Sequence, residues 1–142
     1  MGTEADAGMN AEMVQALWVD GNRFLLQDRF GFPVVMTQPN GVSGADLLPM
    51  SLIGCAAWDV IAILQKMRQQ VTGLHVTAAS EREEEPPWRF KRIHIHYMVR
   101  GTNLSPDRVQ RAITLSEQNY CSIHATLRQV VEITSDFEIV DE

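Results

Sequence analysis

Apolar residues change their spacing several times along this chain. Between residues 12 and 37 they fall in short runs, EMVQALWV, RFLLQD and FPVVMT, separated by Asp20-Gly21-Asn22 and by Gly31. Runs of that length between turn residues predict a small antiparallel meander. After QPNGVSG the period becomes helical. Leu48, Leu52, Cys55, Val60, Ile63, Leu64, Met67 and Val71 recur at helical spacing, while Ile53, Ala57, Ile61 and Ala62 make the other faces apolar. This predicts a helix from Leu47 to about Val71 with Gly73 as its stop. A helix apolar nearly all round is a buried one, so it belongs at the centre of the fold. Ser43 and Asp46 give an S-x-x-D start signal, and Pro49 within the helical pattern predicts a kink or restart.

The next segments, LHVTAASER and WRFKRIHIHYMVRG, read as strands joined by the proline-rich EEEPPW. Alternation puts Phe90, Arg92, His94, His96 and Met98 on one face and Lys91, Ile93, Ile95 and Tyr97 on the other. Ser105-Pro106-Asp107 is an N-cap with proline at the first helical position, so SPDRVQRAITLSEQN predicts a helix. CSIHATL reads as a short second helical piece, and QVVEITSDFEIV as a closing strand. The order of strands, long helix, strands, helix and strand is α+β. We expect a frayed segment over residues 1–10 and a single domain over 11–142.

The chain has 142 residues, enough to bury a core without metals or disulfides. Its formal charge of −6 argues against a nucleic-acid partner, which would require clustered Lys and Arg. No apolar run is expected to reach the length needed to span a membrane, and the acidic start MGTEADAGMN does not resemble a secretion signal, so a cytoplasmic location is expected. In a reducing compartment the two cysteines, Cys55 and Cys121, are inert, metal-binding or redox-active rather than a structural staple.

Taken alone, a cysteine in an apolar helix is usually an inert core residue. Two features count the other way. Backbone donors at the start of CSIHATL favour a thiolate at Cys121, and a helix restart after Pro49 would do the same for Cys55. An ordinary thiol is only about 3% ionised at neutral pH, so a reactive one calls for a nearby cation. Zinc on His94, His96, His124 or the cysteines lacks any CxxC or HExxH spacing to support it. Asp59, one turn beyond Cys55, reads as a cap or ion-pair residue, since a carboxylate beside a thiol raises its pKa. Trp18, Trp58 and Trp88 read as core or interface anchors.

Two stretches, "GADLLPMSLIGCAAWDVIAILQKMRQQVTGLHV" and "FKRIHIHYMVRGTNLSPDRVQRAITLSEQNYCSIHATL", resemble the OsmC/Ohr family of osmotically inducible and organic hydroperoxide resistance proteins, in its OsmC-like subgroup. The resemblance runs from about Trp18 to the C-terminus. It implies a long central helix wrapped by antiparallel strands in an intertwined homodimer, and a metal-free peroxidase without a cofactor. Cys55 matches the peroxidatic cysteine and Cys121 the resolving one. The implied substrates are organic hydroperoxides, with hydrogen peroxide as a further candidate, and the implied reductant is an external dithiol such as a lipoyl-bearing protein. Relatives carry an acidic residue, usually glutamate, in the turn before the central helix, paired with an N-terminal arginine; here the candidate acid is Asp46, one methylene shorter, while Ala45 fills the neighbouring position where the best-studied peroxidases have it. The arginine is Arg23 or Arg29, and Arg23, directly after the turn, is the better candidate. The alternative on the same scaffold is a non-peroxidase dimer that binds small molecules or senses redox state. A hotdog-type thioesterase fits less well, because Asp59 is the only candidate base on the helix.

Overall fold

The computed structural model describes residues 12–142. The segment expected to fray, residues 1–10, lies outside the described residues. The chain divides into two compact units, one up to Leu47 and one from Leu48 to Glu142.

The first unit contains the predicted meander: β1 (Gln15–Asp20), β2 (Arg23–Gln27) and β3 (Pro33–Met36), antiparallel in the order β1-β2-β3. Its turns form where the sequence indicates. Gly21 and Gly31 have φ of 45° and 90°, a region that a side chain disfavours. Trp18 closes the first hairpin by donating its indole N–H to the Gly21 carbonyl at 2.9 Å. Asp28 holds the second by accepting from the backbone N–H groups of Phe30 and Phe32, both at 2.9 Å. Among its described residues no side chain is fully buried.

The second unit is built on α1 (Leu47–Lys66), whose buried stripe is Leu52, Ala56, Val60 and Leu64. Pro49 causes no break. It is the third residue of the helix, where the missing N–H would have had no intrahelical partner. The helix ends about five residues earlier than its apolar pattern suggests. Arg68 adopts φ 59°, Gln69 N–H bonds to the Leu64 carbonyl at 3.0 Å and Arg68 N–H to that of Gln65 at 3.0 Å, a Schellman stop made without glycine. Gly73, the expected stop, lies inside β4 (Gln70–Arg82) at a register shift.

β4 pairs antiparallel with β5 (Phe90–Thr102), and β6 (Glu132–Asp141) adds to the far side of β5 as a parallel strand. β5 is thus the middle of the sheet. The predicted alternation holds: Ile93, Ile95, Tyr97 and Val99 are fully buried, while His94, His96 and Met98 are only partly so. α2 (Pro106–Leu115) starts as predicted, with Ser105 Oγ accepting from Arg108 N–H at 3.3 Å and Pro106 at its first position. Its Val109, Ala112 and Ile113 join the α1 stripe and the inner face of β5 in one apolar cluster.

Two expectations need correction. At 20 residues α1 is long and apolar enough to cross a membrane by length and composition, so the sequence does contain such a run. Its fully buried stripe packs into the protein's own core. None of the three tryptophans is a core residue within the chain: Trp18, Trp58 and Trp88 are 67%, 80% and 51% exposed.

Candidate dithiol site

All the geometry that unites the cysteines lies in the second unit. Cys55 and Asp59 are four apart on α1 and therefore share a face. Cys121 reaches them through an irregularity after α2, where Ser116–Tyr120 form a single π-helical turn closed by Cys121 N–H to the Ser116 carbonyl at 2.8 Å. Such wide turns cluster at functional sites because they re-aim side chains. Cys121 then leaves the helix with extended backbone and becomes the N-cap of α3 (Ser122–Leu127). Its Sγ accepts the His124 backbone N–H at 3.4 Å, the role usually filled by a Ser or Asp oxygen. The sulfurs of Cys55 and Cys121 and a carboxylate oxygen of Asp59 all lie within 4.8 Å of one another.

Both cysteines are free; Cys55 is partly buried and Cys121 is 2% exposed. Burial first, and then the hydrogen bond with Cys55, hold the Cys121 thiol above its ordinary pKa, while the His124 and Ile123 backbone donors pull it down. The helix-start donors expected at Cys121 are thus present, but burial outweighs them. The matching expectation for Cys55 fails, since it sits mid-helix in an unbroken α1.

Asp59 is more than the cap or ion-pair residue expected. Ser116, fully buried, donates Oγ to Asp59 Oδ2 at 3.1 Å. The buried Tyr97 hydroxyl lies 3.5 Å from Glu117 Oε1. Its pKa is raised well above the ordinary value, chiefly by burial and further by Glu117, Cys121 and Asp59, so it stays a neutral donor. Sequence reasoning missed Ser116, Tyr97 and Glu117. The only available signal was the polar SEQ after an apolar helix face. His124 is 8% exposed and its Nδ1 has no hydrogen-bond partner among the described residues; burial lowers its pKa and keeps the ring neutral.

A cleft of about 570 Å³ opens on Asp59 and is lined by Trp58, Ile63, Lys66, Met67, Leu115 and Tyr120. A second groove of about 560 Å³ runs along α1 past Gly54, Ala57, Ile61 and Leu74 and contains no ionisable side chain.

The other predicted site residues belong to the first unit. Arg23 begins β2, exposed, with its Nε 3.6 Å from Asp20 Oδ1 across the hairpin turn. Asp46 lies in the turn before α1, where its backbone N–H bonds to the Ser43 carbonyl at 3.1 Å. The forked Arg23–Asp46 pair is not formed among the described residues, because Asp20, three residues away, takes the guanidinium instead. Arg29 is a turn residue paired with Glu12, its guanidinium 4.7 Å from the centre of the Phe30 ring.

The second unit is α+β, with a central helix, a three-stranded sheet and two free thiols that converge. The OsmC-like protein family model matches residues 37–136, and the chain belongs to that family. It is 39% identical over 126 residues to protein YhfA of Escherichia coli, covering 87% of this chain and 94% of that one. It superimposes on the crystal structure of a hypothetical protein from Aquifex aeolicus with TM-score 0.85 and 25% identity, covering 94% and 99% of the two chains. The organic hydroperoxide resistance protein OhrB of Bacillus subtilis shares the fold at TM-score 0.60 and 14% identity, covering 92% and 100%.

Proposed function

We propose that this protein is a two-cysteine thiol peroxidase that reduces organic hydroperoxides and works as a homodimer. The observation that carries the reading is the pair of free sulfurs, Cys55 and Cys121, within 4.8 Å of each other, so that side-chain rotation and a small shift bring them to bonding distance. Membership in the OsmC-like family agrees with a peroxide-linked redox role. The mainly apolar lining of the cleft at Asp59, broken by Lys66, suits the organic part of a hydroperoxide.

The Cys55 thiolate attacks the terminal oxygen of ROOH and the O–O bond breaks. The alkoxide leaves as ROH after taking a proton, and Cys55 becomes a sulfenic acid. Cys121 then attacks the sulfenic sulfur, forming the disulfide and expelling hydroxide. Asp59 receives the Cys121 proton and passes it to that hydroxide, which departs as water. An external dithiol, such as a lipoyl group, restores both thiols and becomes a disulfide itself. Arg23 is our candidate for the cation that supports the thiolate, which would require it to leave Asp20 for Asp46 or the site.

The homodimer is supported by apolar surface that the chain leaves uncovered. Trp58 and Met50 on α1 and Leu17, Val19, Phe32 and Val35 in the first unit are all 46% exposed or more. A second copy is the cover that such surfaces call for. Sedimentation at micromolar concentration is expected to give a dimer, and a folded monomer would overturn that part.

The chemistry is tested with cumene hydroperoxide and a dithiol reductant. Cys55→Ser is expected to abolish consumption. Cys121→Ser is expected to complete one turnover and leave a sulfenic acid that a dimedone probe captures. Equal turnover by wild type and Cys55→Ser would sink the reading in favour of a binding or sensing dimer.

A further inference from the structure

We infer that the reduced site is also a chelating site for a thiophilic divalent cation of the zinc class, with Cys55, Cys121 and Asp59 as its protein ligands. Such an ion is a reversible blocking ligand here, not a cofactor of the reaction. No linear motif announces it, because the ligands come from positions 55, 59 and 121 and meet only through the π-helical turn before Cys121.

Three observations carry the inference. The three ligand atoms already lie within 4.8 Å of one another. Around a tetrahedral ion with Zn–S near 2.3 Å, two sulfurs stand roughly 3.8 Å apart, so the site need contract by no more than about an ångström. The donors are also the right kind, since two thiolates and one carboxylate favour zinc over magnesium or calcium, which take oxygen. Finally, the ligands have the outer hydrogen bonds that orient metal-binding groups: Ser116 Oγ donates to Asp59 Oδ2 at 3.1 Å and the His124 N–H to Cys121 Sγ at 3.4 Å. Of the three ligands, Asp59 lines the cleft beside Trp58 and Tyr120. Three protein ligands leave a fourth position for water.

Binding releases both thiol protons to solvent and forms two metal–sulfur bonds, with no change of oxidation state. The ion thereby masks Cys55 from peroxide and keeps Cys121 from closing onto it. The exposed histidines of β5, His94 and His96, are the competing explanation for any zinc uptake. Both contact Asp136, with His94 Nε2 at 3.1 Å and His96 Nδ1 at 2.6 Å from Oδ1.

The experiment is a zinc chloride titration of the reduced full-length protein against a chromophoric chelator, with cobalt substitution as the spectroscopic readout. One zinc per chain is expected, with both thiols protected from N-ethylmaleimide until EDTA is added. Cobalt should give the intense sulfur-to-metal charge-transfer band of thiolate ligation. Asp59→Asn should weaken binding about 10-fold and Cys121→Ser at least about 100-fold. Diamide-oxidised protein should bind none at this site, and His94→Ala/His96→Ala should bind as wild type does. Unchanged affinity in both Asp59→Asn and Cys121→Ser, loss of binding only in the histidine double variant, or cobalt spectra without the charge-transfer band would each overturn the inference. None of these measurements uses peroxide. Zinc binding by a protein that consumes no peroxide would sink the peroxidase reading alone, and peroxide turnover without zinc binding would sink this inference alone.

Discussion

The two units of this chain are similarly rich in apolar residues but use them in opposite ways. In residues 48–142 the apolar side chains converge: α1, β5 and α2 bring Leu52, Val60, Ile95, Tyr97, Val99 and Val109 to zero exposure. In residues 12–47 the alternation is just as regular, yet no described residue is fully buried, and Leu17, Phe30, Phe32 and Val35 are 46–71% exposed. A sheet has two faces and a three-stranded meander has nothing of its own to lay against either. Periodicity therefore identifies an element without saying what covers it. The second unit holds its own core and the dithiol site, whereas the first is defined by surface still to be covered.

The sharpest way to break that contrast is to shorten one leucine in each unit. Leu52→Ala removes buried volume from a packed cluster and is expected to cost about 2–5 kcal/mol in urea unfolding. Leu17→Ala, on an exposed strand, should change the stability of an isolated chain by no more than about 0.5 kcal/mol. Under the homodimer proposal its effect should instead appear as a higher dissociation constant, with a midpoint that depends on protein concentration. A concentration-independent loss at Leu17 as large as that at Leu52 would show that the first unit has a core of its own, and the contrast would fall.

The same contrast explains which features were legible in the sequence. Elements whose signals are local were readable: the glycine turns of the meander, the Ser105-Pro106 helix start and the in-out alternation of β5 all form as the residues indicate. Features set by competition between signals were not. The apolar period of α1 continues to Val71, but Arg68 accepts a left-handed backbone and ends the helix at Lys66. Pro49 looked like a breaker only because the helix start could not be fixed to within a turn, and at the third position it is harmless. The site was half legible. Resemblance singles out Cys55 and Cys121, but by sequence Asp59 reads only as a cap or ion-pair residue, because a carboxylate disfavours a thiolate. Only the π-helical turn, which has no sequence signature, brings Cys121 to Cys55 and Asp59.

A smaller effect tests whether the first unit supplies charge to chemistry in the second. In a Cys121→Ser background, Arg23→Ala is expected to slow alkylation of Cys55 at neutral pH about tenfold, and Arg29→Ala to change it little. The reverse pattern would move the role to Arg29. No change in either variant would leave the site to the second unit alone and weaken the peroxidase reading.

The smallest expected effect lies on the outer face of the second unit's sheet. It asks whether polar contacts there contribute as the buried face does. His96 Nδ1 is 2.6 Å from Asp136 Oδ1 and its Nε2 is 3.5 Å from Glu138 Oε1, both on β6; His94 shares Asp136, and on the β4 side the register neighbour is the uncharged Thr77. The hydrogen bond to Asp136 raises the His96 pKa, and the same bond lowers that of Asp136. A raised histidine pKa gives stability that is fully present below the unfolded value of about 6.5 and fades as pH rises through the folded one. A lowered aspartate pKa gives stability present above about 3.9 and lost as pH falls through the folded value. The two overlap between about pH 4 and 6.5, so the Tm advantage of wild type over His96→Gln should peak near pH 5 and shrink toward both pH 3 and pH 9. Both groups are exposed and screened, so the peak should be on the order of a degree and should fall further in high salt. A difference independent of pH would mean that His96 contributes through packing, and the outer face would then resemble the buried one more than its exposure suggests.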